Sequence, residues 1–242
     1  GTLDPEVEGV LPICIGQATK IVPYLTDTKK VYHAEISLGQ ATETEDNHGK
    51  VVDSKQITNE ISRTDIESTL KKFKGMIKQI PPMYSAVKVN GKKLYEYARE
   101  GRTVDRPVRQ VTVYNLDLLS ELTNYSPFDQ RFRFRVECSK GTYIRTLCVD
   151  IGNELGYPAH MSHLVRKQTG NFNSNNSYTF DQIKEFVEAG IGTQLLVPIY
   201  KGVEHLDVVY IDSNTVTKVS HGQKLALPEN QPKTDIFRVQ YK

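Results

Sequence analysis

The first carboxylate of the chain, Asp4, stands in a setting that could hold a nucleophile or a general acid. Pro5 follows it, fixing φ and offering no N–H, and Gly1 and Gly9 let the backbone bend on either side. The apolar run Val10-Leu11-Pro12-Ile13-Cys14-Ile15 comes next and is expected to form a short buried strand. A carboxylate on a turn that feeds a core strand has a rigid support, which nucleophiles and general acids need. Taken alone, the more frequent meaning of these residues is a plain Asp-Pro turn. Read alone, Tyr32 in Lys30-Val-Tyr32 and Tyr143 in Lys140-Gly-Thr-Tyr-Ile-Arg145 are packing aromatics, and Arg145 is a surface cation.

Other chemistries are poorly served. Cys14, Cys138 and Cys148 are odd in number, lack CxxC spacing and sit in apolar patterns, so they are expected to be reduced core thiols. The six His are scattered without ligand spacing, so no metal is expected. No apolar run approaches the ~20 residues needed to span a bilayer, and there is no signal-peptide pattern; a cytoplasmic protein without a membrane partner is expected.

The net charge of +2 alone would not suggest a polyanion partner, but its distribution does. Lys71 to Arg109 holds 11 basic and 3 acidic residues, which leaves 20 basic against 26 acidic elsewhere. Phosphate neutralisation needs clustered cations, so this segment is a candidate nucleic-acid surface; a solvated helix face is the alternative.

The elements that must position these residues can be taken in order. Gln17 to Leu25 fits a helix with Pro23 in its first turns or at a kink. Lys30 to Gly39 alternates as a strand with Tyr32, Ala34, Ile36 and Leu38 on one face, and polar Ala41 to Gly49 is a loop. Thr64-Asp-Ile-Glu67 matches a capping box ahead of Ile66, Leu70 and Phe73 at helical spacing. Tyr84 to Val89 suits a strand, Asn90-Gly91 a tight turn, and Lys92 to Glu100 a helix stopped by Gly101. Tyr95, beside Leu94, is the tyrosine of this segment most expected to be packing. Val108 to Leu119 and Arg131 to Cys138 are strands, the second with Phe132, Phe134, Val136 and Cys138 on one face. A turn at Ser139 then opens a helix to about Leu155 with Gly156 as its stop. Asn171 to Ser177 is a polar flexible loop, Thr179 opens a helix to about Ala189, and short strands and turns follow from about Val203.

The stretch Gly1-Thr-Leu-Asp4-Pro-x-x-x-Gly9-Val-Leu-Pro-Ile-Cys-Ile-Gly-Gln-Ala-Thr-Lys20 resembles the catalytic motif of the TruB family, the tRNA pseudouridine-55 synthases. Lys30-x-Tyr32, the segment from Gln79 to Gly101, and Lys140-Gly-Thr-Tyr-Ile-Arg-Thr146 match further motifs in the same order. The resemblance covers roughly residues 1–200 well and the tail poorly. It implies an α+β pseudouridine synthase fold, with a mixed, mostly antiparallel sheet flanked by helices. Residues 1–200 would be the catalytic domain, 79–105 a thumb insertion, and 203–242 part of a PUA-like RNA-binding module. Such proteins carry a few dozen residues before this motif, so the sequence is expected to be part of a longer protein.

The resemblance also implies roles. Asp4 would be the nucleophile, Arg145 its partner, and Tyr32 the aromatic that stacks on the target uracil and helps move the C5 proton. Tyr143 would shape the pocket, and Leu164 would pack against it, though Leu164 is equally plausible as core. Lys88, Lys92, Lys93 and Arg99, interleaved with tyrosines, would contact the T-arm of tRNA. The thumb favours a stand-alone enzyme without guide RNA, acting as a monomer and needing no cofactor. A non-catalytic RNA-binding or tRNA-folding module of the same fold is the rival.

Overall fold

Period-two patterning sets the centre of the fold. A computed structural model gives its architecture and describes residues 2–59, 61–226 and 231–241; Gly1 lies outside the described residues, as do residues 227–230 of the tail. In chain order the strands are β1 (Glu8–Gly9), β2 (Lys30–Leu38), β3 (Gln40–Thr42), β4 (Val51–Ser54), β5 (Gly75–Gln79), β6 (Lys88–Val89), β7 (Lys92–Lys93), β8 (Arg109–Leu118), β9 (Thr123–Ser126), β10 (Asp129–Cys138), β11 (Ala159–Thr169), β12 (Phe172–Asn173), β13 (Val208–Ile211) and β14 (Arg238–Tyr241). The helices are α1 (Val22–Thr26), α2 (Arg63–Lys72), α3 (Leu94–Arg99), α4 (Ile144–Glu154), α5 (Phe180–Glu188) and α6 (Ser213–Ser220).

Two compact units result, one from Gly1–Pro12 and Asp27–Ser177, the other from Ile13–Thr26 and Tyr178–Lys242. The first is an α+β unit built on a mixed, mostly antiparallel sheet in the order β1-β11-β2-β10-β8-β5, with β12 added to β11 and β9 to β10. The β1–β11 pair is parallel; the other pairs of this sheet are antiparallel. Ala34, Ile36 and Leu38 of β2 and Phe132, Phe134, Val136 and Cys138 of β10 are buried on one face, where Ile66 and Leu70 of α2 and Leu147 and Ile151 of α4 complete the core. Each such fully buried side chain contributes about 2 kcal/mol. On the other face the β10 arginines are compensated: Arg131 pairs with Asp129 and Glu35, Arg133 with Glu35, and Arg135 with Glu137.

Several local expectations are corrected. Residues 10–15 are not a strand: only Val10 is buried, while Leu11, Ile13 and Ile15 are exposed. Pro12 cannot donate to a ladder, and at Ile13 the chain passes into the second unit. The α2 capping box is Ser62 with Asp65, because Thr64 already lies within the helix and Glu67 pairs with Arg63. Residues 84–89 yield only the two-residue β6, and Lys92–Lys93 form β7, so Asn90 (φ +51°) and Gly91 (φ +81°) turn a hairpin before α3. Within α3 it is Tyr97 that is buried, its hydroxyl donating to Val89 O at 3.2 Å. The polar run from Asn171 is ordered by β12 and by Asn176 Oδ1 accepting from Asn173 N–H at 2.7 Å. Cys14 is only partly buried, whereas Cys138 and Cys148 are core thiols, that of Cys138 pushed up to about 11 by burial.

The second unit starts with a 3-10 turn, Gly16–Ile21, continued by α1 with Pro23 in its first turn. Buried Gly202 lies against Ile21, whose Cδ1 would be 2.6 Å from any Cβ placed there. The Thr179 cap of α5 forms as its Thr-x-x-Gln sequence dictates, Thr179 Oγ1 accepting from Gln182 N–H at 3.2 Å. In the tail β13 and β14 pair in parallel around α6, a helix where short strands and turns were expected.

Candidate active site

Asp4 is carried by a turn closed by Val7 N–H donating to Asp4 O at 3.1 Å. Pro5 occupies its second position and Glu6, at φ +61°, its third, the type II arrangement that favours glycine there. The chain then enters β1, with Gly9 opposite Arg166 of β11. Gly9 has φ +121°, and a Cβ on it would fall 2.6 Å from Arg166 N and closer still to its carbonyl oxygen. Only glycine allows this approach. Arg166 grips the next residue twice: Val10 N–H donates to Arg166 O at 2.8 Å, and Arg166 Nε donates to Val10 O at 2.8 Å.

Arg145 faces the turn from the start of α4. Its Nη2 lies 2.8 Å from Asp4 Oδ2 and donates to Tyr84 O at 3.0 Å; its Nη1 donates to Thr44 O at 3.1 Å. The Arg145 side chain is 6% exposed and that of Asp4 46%, so a buried, always charged guanidinium presents itself to a carboxylate at the surface of the site. Asp46 Oδ2 stands 4.0 Å from Arg145 Nη1. Asp46 is fixed in turn by Thr44 Oγ1, 2.6 Å from its Oδ1, and by the His48 N–H at 3.0 Å. Between them, Glu45 holds φ +62° and accepts from Thr146 Oγ1 at 2.8 Å; burial raises its carboxyl above the ordinary range.

Tyr143 precedes the first residue of α4, and buried Gln79 of β5 clamps its backbone. Gln79 Oε1 accepts from Tyr143 N–H at 3.0 Å and Gln79 Nε2 donates to Tyr143 O at 3.1 Å. Tyr32 of β2 is paired in register with Val136 on one side and Arg166 on the other. Burial raises the Tyr32 phenol, and the negative charge of Asp4 adds to this, while a hydrogen bond from Arg166 works against it. Leu164, buried opposite Ala34, lines a cleft of about 180 Å³ together with Glu6, Val7, Asp46, His48 and Met161.

Asp4 and Arg145 are thus drawn into contact, Tyr32 pairs in register with the Arg166 that grips Val10, and Leu164 lies along the adjoining cleft. Lys88, Lys92, Lys93 and Arg99, four of the five cations of residues 79–105, stand apart, on the β6–β7 hairpin and α3. Lys92 pairs with Glu100 and lies 4.9 Å from the Tyr97 ring centroid. Lys93 and Arg99 lie 5.3 Å and 5.2 Å from that of Tyr95, and Lys88 is exposed. This segment is tied to the site through the Tyr84 carbonyl held by Arg145. Among the described residues, no group of three or more His, Cys, Asp and Glu could hold a metal ion, and no helix is long and apolar enough to cross a membrane.

Sequence reasoning did not find Arg166, Asp46 or Gln79. Arg166 and Gln79 lie on strands whose alternation is weak. Asp46 sits in a polar run that resembles any loop.

The fold is that of a pseudouridine synthase. The chain superposes on the crystal structure of a Cbf5-Nop10-Gar1 complex with a TM-score of 0.69 and 31% identity over 93% of its length. It superposes on an H/ACA RNP bound to a substrate RNA containing 2'-deoxyuridine with a TM-score of 0.67 and 28% identity over 94%. It spans 58% of each of those two chains.

Within that class the chain belongs to the TruB family. Residues 1–144 match the model of the TruB family pseudouridylate synthase N-terminal domain, and residues 145–205 that of the tRNA pseudouridylate synthase B C-terminal domain. Its sequence is 56% identical to the tRNA pseudouridine synthase B of Oceanobacillus iheyensis, over 98% of this chain and 77% of that one. Against the protein of the same name from Bacillus subtilis it is 51% identical, over 95% and 74%.

Proposed function

We propose that this chain is a tRNA pseudouridine synthase that isomerises uridine 55 in the T-loop, with Asp4 as the nucleophile. The observation that carries the assignment is the Asp4 carboxylate held 2.8 Å from a buried Arg145 that two backbone carbonyls lock in place. The guanidinium fixes the direction of the carboxylate and offsets its charge as the site dries around RNA.

The T-loop uridine is flipped out of its stack into the cleft. Asp4 attacks ribose C1′, or in a glycal route takes the C2′ proton instead, and the C1′–N1 bond breaks, leaving its electron pair on the uracil. The uracil turns and C5 bonds to C1′ as the Asp4–C1′ bond breaks and returns its electron pair to the carboxylate, or, in the glycal route, as a proton returns to C2′. The proton then leaves C5, and N1 gains one. Nothing is oxidised or reduced, so no cofactor is required. The transient glycosyl-enzyme follows retaining-glycosidase logic. Tyr32 offers a flat face for the base and a hydroxyl near the reacting carbons, Tyr143 and Leu164 shape the pocket, and Arg166 and Asp46 hold the frame around it.

Lys88, Lys92, Lys93 and Arg99 grip the T-arm phosphates as a thumb, which supports action on tRNA without a guide RNA. Residues 1–200 supply catalysis and 203–242 part of a PUA-like module, in a cytoplasmic enzyme that works as a monomer. The decisive experiment compares pseudouridine formation in a T-arm hairpin by the wild type and by Asp4→Asn. Conversion by the wild type alone establishes reaction and nucleophile. If both bind the hairpin and neither converts it, the protein is an RNA-binding or tRNA-folding module instead.

A further inference from the structure

His48 sits where the catalytic turn meets the loop that carries Asp46. Its Nε2 lies 2.5 Å from Glu6 Oε2 and its Nδ1 3.4 Å from Asp46 Oδ1. Glu6 is two residues beyond Asp4 in the same closed turn. Asp46 reaches Arg145 at 4.0 Å, and Arg145 reaches Asp4 at 2.8 Å. The contacts close a ring: Asp4, Arg145, Asp46, His48, Glu6 and back through the turn. We propose that His48, protonated on both ring nitrogens, is a positioning residue that closes this ring and keeps the Asp4 turn docked on Arg145; the proposal rests on Asp4 being the nucleophile.

The chemistry favours the imidazolium. A neutral imidazole has one N–H, so it can donate to Glu6 or to Asp46 but not to both; the cation donates to both at once. Glu6 also occupies a turn position where glycine would fit better, and its side chain is the part that reaches His48. The hydrogen bond to Glu6 raises the His48 pKa above its ordinary value, and the charge of Asp46 adds to it. His163 is the other titratable side chain lining the same cleft. Because the folded-state pKa is raised, the bridge is complete below the ordinary histidine value and is lost as pH rises through the raised one. His48 and Glu6 are 53% and 74% exposed, which limits the coupling to about two- to fivefold in rate.

The test has two arms on the full chain. In the first, NMR titration of the His48 ring compares wild type with Glu6→Gln. The expected result is a pKa above about 6.5 that falls in the variant. In the second, single-turnover rates on saturating T-arm hairpin are followed from about pH 5.5 to 8.5 for wild type and His48→Gln. The ratio of the two rates should be about two- to fivefold at the acid end and approach one at the alkaline end, with hairpin affinity unchanged. Glu6→Gln should reproduce the His48→Gln profile, and the double variant should lose no more. A His48 pKa indifferent to Glu6, or a rate ratio flat with pH, overturns the proposal. A wild type inactive at every pH overturns instead the reaction assigned to Asp4, and the titration arm still decides whether the bridge exists.

Discussion

The guanidinium of Arg145 is shared between Asp4, 2.8 Å from its Nη2, and the backbone carbonyls of Tyr84 and Thr44 at 3.0 Å and 3.1 Å. One side chain therefore ties the candidate nucleophile to the segment leading into the β6–β7 hairpin and to the loop carrying Asp46. Arg145→Lys keeps the charge but cannot reach all three partners, because an ammonium lacks the planar fork. Turnover should fall by about a hundredfold while hairpin affinity changes little. Arg145→Met should also lower stability by about 1–3 kcal/mol, since two part-buried carbonyls lose their donor. Single-turnover kinetics and urea denaturation separate the two effects.

Gly9→Ala tests the approach of β1 to β11. The added Cβ meets Arg166 backbone atoms, and the φ of +121° is itself costly for alanine. Stability should fall by about 2–4 kcal/mol, with the Asp4 turn displaced and activity lost together. The denaturant midpoint and the conversion assay report the two losses on one sample.

The cations of the β6–β7 hairpin differ in how free they are. Lys92 is engaged by Glu100, whereas Lys88 is exposed at the hairpin. Lys88→Ala should reduce the slope of log affinity against log salt by about one. Lys92→Ala should reduce it by less, because the partner Glu100 already offsets its charge. Binding of the T-arm hairpin at four or five salt concentrations checks the order.

Asp150, on α4, has its carboxyl raised to about 6 by burial. An acid whose folded pKa lies above its unfolded value binds more protons in the native state, so it destabilises the fold as pH rises from about 4 to 6. Asp150→Asn should therefore gain stability relative to wild type over that window and hold the gain at neutral pH. Thermal melts of both proteins at pH 4.5 and 7 give the comparison.

Parts of the fold were legible because local chemistry dictated them, whereas the roles of Asp4, Tyr32 and Arg145 came from the family resemblance, since each alone has an ordinary reading. Asp-Pro at the start of a turn, Asn90-Gly91 in a hairpin, and alternating Phe132, Phe134, Val136 and Cys138 each specify backbone or face without reference to the rest of the chain. What escaped depends on partners distant in sequence. Arg166 is an unremarkable cation in a run of polar residues until β11 lies beside β1 and β2, when it becomes 98% buried among the supports of the site. Asp46 acquires meaning only through Arg145, 99 positions away. The expected strand at residues 10–15 failed for the same reason: apolar content marks burial, but Pro12 and the change of unit at Ile13 decide where the ladder stops.

The packing of Ile21 against Gly202 bears on the order in which the chain assembles. Residues 13–26 join their unit only with residues 178–242, across a closure of about 150 intervening residues. During synthesis from the N-terminus, the segment directly following the Asp4 turn must therefore wait until the whole sheet of the first unit has emerged. Completion of this second unit is a late event, and Leu25, buried in the finished unit, stays uncovered until then.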